Sequence, residues 1–179
     1  SVVQGSATSI VVVTNNNGLV NNGKVLITVT GSGFPAGVYD LIRFKGSLSG
    51  TAYEIASVPN GIAEYNLITN AGNALQLSVI STGFPIWVGS VNNQWRPEPT
   101  LTNWKVSSNG NPLDFRNGDF ALFETSALLY TVNIVTTVVP SSVQVTGGSN
   151  YTFAGIGSIV GSGGISHLGT GRVTLDTTN

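Results

Sequence analysis

Between Asn150 and Asn179 the chain reads NYTFAGIGSIVGSGGISHLGTGRVTLDTTN. Short apolar beats (Tyr151 and Phe153, Ile156, Ile159 and Val160, Ile165, Leu168, Val173 and Leu175) are separated by Gly, Ser and Thr. None is long enough for a helix, and none carries a helical period. The glycines at 155, 157, 161, 163, 164, 169 and 171 read as positive-φ corners, a conformation glycine adopts without steric cost. Such a segment predicts short strands that coil into a stack, each covering the apolar face of its neighbour.

Charged residues make up only 8% of the 179, against about 25% in ordinary soluble domains. Seven basic and eight acidic residues leave a net charge of −1. That balance excludes nucleic-acid binding by phosphate neutralisation, which needs clustered Lys and Arg. It suits a surface meant to lie against copies of itself, because little charge repulsion opposes association. With no Cys there is neither a disulfide framework nor a thiolate metal site. No run approaches the ~20 apolar residues of a membrane-spanning helix, so membrane insertion is not expected. A chain without Met that opens on Ser1 reads as a processed product or a segment of something longer.

From the N-terminus, SIVVVT (Ser9–Thr14) is a β-branched run whose unbroken apolarity predicts a strand covered on both faces. NNNGLVNNG then reads as turn chemistry, with Asn-Gly as a hairpin signal. Strands are expected over Lys24–Thr30, Val38–Phe44, Tyr53–Val58, Tyr65–Thr69 and Ala74–Ile80, divided by turns at GSGFPAG, GSLSG and PNG. The composition changes after Ser81–Pro85, since all three Trp fall between Trp87 and Trp104. Further strands are predicted at Phe120–Phe123, Leu128–Val135, Val138–Val139 and Val143–Val145. The chain is therefore all-β, with an N-terminal lobe (1–84) and a Trp-containing, Gly-rich lobe (85–179) expected to share a core. The tail favours a β-solenoid of the parallel β-helix kind. The first half suits a β-sandwich or a solenoid equally well.

Few side chains suggest chemistry. His167 is the only imidazole, and its neighbour Ser166 would point to the opposite face of a strand. Asp114, Asp119 and Glu124 cluster in sequence and could hold Ca²⁺ through oxygens or flank a glycosidic bond, although a spacing of five puts neighbouring acids on alternate faces of an extended segment. The NGD turn at Asn117–Asp119 accounts for one of them without a ligand. No other cofactor is expected. Trp87, Trp95 and Trp104 could form a platform for surface glycans or plug the core, and core packing is the favoured reading. The apolar run Ile10, Val11, Val12 and Val13 lies beside a terminus with few guarding charges. It reads as a strand that pairs within its lobe or adds to a neighbouring copy.

The second half also carries a series of motifs: Trp87-Val-Gly89, Trp95, Asn103-Trp104, Phe115 through Phe123, Pro140 through Val143, and then the glycine-rich tail. This series resembles the autotransporter-associated β-strand repeat of large bacterial surface and secreted proteins. The first half, through Ile27-Thr-Val29, Gly37 through Ile42, Gly46 through Gly50 and Asn73 through Leu77, is similar to the segment that often precedes it. Two departures stand out. His167 occupies the place of a lysine in the family's ending, and the family's paired acids are reduced here to Glu124. The resemblance implies an extracellular or cell-surface, non-catalytic bacterial module. It would act by extending, displaying or adhering, with other copies or adjoining repeats as partners, as in a filament or adhesin. A carbohydrate-binding module and a polysaccharide-acting enzyme are the alternatives.

Overall fold

The computed structural model describes residues 2–3, 11–16, 18–31, 34–50, 53–70, 73–97 and 102–177. Among them the chain is all-β, with no helix. It divides into two compact units, Ser1–Thr82 and Gly83–Asn179, close to the change in composition.

The first unit holds β1 (Val2–Val3), β2 (Val11–Val13), β3 (Leu19–Asn21), β4 (Val25–Thr30), β5 (Gly37–Phe44), β6 (Leu48–Gly50), β7 (Tyr53–Ser57), β8 (Ile62–Asn70) and β9 (Ala74–Thr82). Its early strands pair in parallel with strands about one circuit later: β1 with β4, β2 with β5, β3 with β6 and β4 with β7. The expected Asn-Gly hairpin is therefore not formed. Leu19 and Val20, read as part of a turn, instead extend beside Leu48 and Ser49. Among the described residues of this unit, antiparallel pairing is confined to β5–β9 and β8–β9, and Asn73 N–H donates to the Asn70 carbonyl between the last two strands. Asn73 takes the left-handed conformation (φ 61°) that its short amide side chain tolerates. Ile27, Val29, Phe34, Leu41, Ile62, Leu75, Leu77 and Val79 form the core.

The second unit comprises β10 (Pro85–Trp87), β11 (Gln94–Trp95), β12 (Trp104–Val106), β13 (Pro112–Leu113), β14 (Phe120–Phe123), β15 (Thr131–Ile134), β16 (Ser142–Val145), β17 (Tyr151–Gly155), β18 (Ile165–His167) and β19 (Val173–Thr177). From β14 onward, successive strands alternate between two sheets. One runs β13-β12-β10-β14-β16-β18 and the other β11-β15-β17-β19. β14 lies parallel on β10 and β15 on β11, and from β16 onward each strand lies parallel on the strand two before it. Phe120 pairs with Ser142, Val143 with Ile165, Thr131 with Thr152 and Tyr151 with Val173. An isolated parallel bridge between Val138 and Ile159 keeps the same step. Antiparallel pairing in this unit is made by β12, with β10 on one side and β13 on the other.

Aromatic rings fill the second unit. Trp87 and Trp104 meet edge to face at 5.1 Å, Trp95 and Phe115 at 5.2 Å, and Phe123 and Phe153 at 4.8 Å. Beyond the area they bury, such pairs contribute about 0.5–1.5 kcal/mol each. The Trp87 indole N–H donates to the Leu129 carbonyl at 2.8 Å, and the Tyr151 hydroxyl to that of Glu124 at 2.6 Å.

Candidate functional site

The inward positions of the second unit form rows that run from strand to strand. Ala121, Val143 and Ile165 make one, and Phe123, Val145 and His167 make another. In the other sheet, Val132, Phe153 and Leu175 are in line, as are Tyr151 and Val173. The earlier members are all sealed from solvent, with none above 1% exposure. The last members are not: Ile165 is 36% exposed, Leu175 is 51%, and His167 is exposed as well. Ile165 and Leu175 carry the apolar chemistry of the interior, but no described strand covers any of the three. β18 and β19 each end their sheets, so each presents a backbone edge with no partner strand among the described residues.

The turns between these strands explain the glycines, though not as the sequence suggested. Of the seven in the tail, only Gly155, Gly161 and Gly164 have positive φ. Gly157, Gly163, Gly169 and Gly171 are needed for another reason. A Cβ on them would overlap the backbone of Thr136, Ser141, Gly147 and Ser149. Corner backbones therefore pack directly on the corners one step before, which brings the parallel strands into register.

Ile10 lies outside the described residues. Val11, Val12 and Val13 form β2, paired on one side only, with β5. The expectation of cover on both faces is corrected, since Val11 is 41% and Val12 is 60% exposed. Val12 aligns with exposed Arg43 on the outward row, and no described strand follows on the other side.

Trp87, Trp95 and Trp104 are buried among one another and Phe115 and Phe123, so these indoles present no platform to a glycan. The large rings are drawn inward by the apolar area they bury there. Asp114, Asp119 and Glu124 are not gathered into a Ca²⁺ site. Among the described residues, no group of three or more His, Cys, Asp or Glu could hold a metal ion. Asp119 is folded into its own turn. It accepts from the Arg116 backbone N–H at 3.0 Å and from the Arg116 guanidinium at 3.3 Å. Burial pushes its pKa above the ordinary value, while the charge and hydrogen bonds of Arg116 pull it down. Glu124 instead accepts from the Ser126 hydroxyl at 3.0 Å and faces Lys105 at 3.9 Å. In the first unit, a hollow of about 350 Å³ is lined by Phe34, Pro35, Asn60, Gly61, Ile62 and Thr82, with no carboxylate, imidazole or amine.

Two features escaped the sequence reading. One is Asn103, wholly buried, whose side chain clamps the loop between β10 and β11. Its Oδ1 accepts from the N–H groups of Val91 (3.0 Å) and Asn92 (2.9 Å), and its Nδ2 donates to Asn92 Oδ1 and the Gln94 carbonyl. The other is the β19 edge. The match of Tyr151-x-Phe153 to Val173-x-Leu175 was the available signal for it. Compared with protein-family models, with curated proteins and with solved structures, the chain shows no match.

Proposed function

We propose that this chain is a non-catalytic structural module of a bacterial surface or secreted assembly, which associates with other copies or adjoining repeats through its strand edges. On this reading the second unit is a β-solenoid, each coil contributing one strand to each of two sheets, in keeping with the resemblance to autotransporter-associated β-strand repeats. The observation that carries the proposal is the exposure of Ile165, His167 and Leu175, in line with sealed interior rows and on strands without an outer neighbour among the described residues. Exposed flat edges are hazards for a monomer and assets for an assembly. The low charge supports the same reading, because it leaves association unopposed.

Sedimentation velocity over a wide concentration range, with negative-stain imaging of the same samples, tests it. The expected result is reversible growth in particle size with concentration. A particle that stays monomeric at the highest soluble concentration would sink the proposal.

A further inference from the structure

β19 carries a pattern that specifies how its edge is covered. Val173 and Leu175 continue the inward rows of Tyr151 and Phe153, which leaves Arg172, Thr174 and Asp176 on the outward side. Arg172, Thr174 and Asp176 are exposed. An antiparallel strand laid on this edge opposes residues of matching face. If that strand is a second β19, related by a two-fold axis through Thr174, then Arg172 of each copy opposes Asp176 of the other. Val173 then opposes Leu175 on the inward side, and Thr174 opposes itself. Two opposite-charge pairs and two apolar pairs result, with no like charges facing, the combination that stabilises cross-strand neighbours.

We propose that two copies of this chain dock through β19, antiparallel and two-fold about Thr174, with reciprocal Arg172–Asp176 pairs fixing the register. This interface rests on the self-association proposed above and specifies its partner, a second copy, and its geometry. The charges select the register, since moving the axis by one residue in either direction separates Arg172 from Asp176. Leu175, on β19 itself and 51% exposed, gives such a contact greasy surface to cover. An isologous contact of this kind uses one patch twice and therefore closes on itself.

The chain has no cysteine, so a single introduced thiol reports the register directly. Directly opposed residues in an antiparallel pair have Cα atoms about 4.5–5.5 Å apart, within the span of about 4.4–6.8 Å that a disulfide bridges. The Thr174→Cys variant of the 179-residue chain is expected to form a covalent dimer on air oxidation, and the Val12→Cys variant is not. By sedimentation equilibrium, Arg172→Asp or Asp176→Arg alone is expected to weaken the dimer about tenfold. The double reversal, which restores opposite charges across the axis, should recover most of the loss. All these side chains are exposed, and circular dichroism of each variant is the check that its strands are kept.

If the wild type associates while Thr174→Cys stays uncross-linked and the reversals leave affinity unchanged, this interface is wrong and self-association stands. Cross-linking through Val12→Cys instead would have the same meaning and would assign association to β2. A wild type monomeric at every concentration removes both.

Discussion

Asn103 shows how one side chain can hold a loop that has no strand to pair with. Two backbone donors and one carbonyl converge on its amide in a fully buried position. Asn103→Ala leaves Val91 and Asn92 without their acceptor. It should cost about 2–4 kcal/mol in urea unfolding, the scale of buried polar groups left unsatisfied. Asp119 makes a prediction in pH. Its folded pKa is raised above the ordinary 3.8, mainly by burial. The folded state therefore holds this proton more tightly than the unfolded chain does. The stability linked to it is fully present below the ordinary value and is lost as pH rises through the raised one. On acidification from neutrality, the unfolding free energy of the wild type should gain on that of Asp119→Asn across that window. A difference that stays flat with pH would show the carboxylate to be ordinary. The turn at Asp119 was legible in the sequence, but its burial and the clamp at Asn103 were not. Burial is what turns an asparagine into a clamp and an aspartate into a strained partner, and burial comes from contacts far along the chain.

At the scale of elements, the strands were legible and their partners less so. Lys24–Thr30, Val38–Phe44, Ala74–Ile80 and Phe120–Phe123 all correspond to observed strands, because alternation and β-branching report a pleated, half-buried surface. The Asn-Gly signal near Asn22 misled, since a local turn preference says nothing about whether the flanking strands pair with each other or with segments a circuit away. The tail glycines were seen, but half of their reason was missed: backbone-on-backbone contact is a property of two corners and not of one. The distinction can be measured. Gly163→Ala drives a Cβ into the Ser141 carbonyl and should cost about 2–4 kcal/mol in thermal or urea unfolding. Neighbouring Gly164 has φ +66°, and a Cβ there would meet nothing within 4 Å. Gly164→Asn, which tolerates that conformation, should therefore cost under about 1 kcal/mol. Equal losses at the two positions would refute the stacked-corner account.

For the whole molecule, the change in composition near residue 84 and the division into units at Thr82 and Gly83 fall together. All three tryptophans and their ring partners belong to the second unit. A fragment spanning 83–179 should therefore keep a cooperative transition and the near-ultraviolet circular dichroism of packed indoles. A fragment that melts gradually, without that signal, would contradict the division. The candidate edge was only partly legible. The first unit's β2 was singled out because four apolar residues adjoin each other, whereas β19 alternates and so resembles any half-exposed strand. Only its place last in a row of sealed side chains sets it apart.

A ladder in which each strand touches chiefly the one before and the one after behaves almost as a linear chain of coupled units. Local opening should then begin at the β18 and β19 edges and travel inward, as a zipper does, instead of striking the whole domain at once. Native-state deuterium uptake should be fastest for the amides of β18 and β19 and slowest around Phe123 and Ile134, with β16 and β17 between. In the associated state, that order should flatten as the frayed end acquires a neighbour.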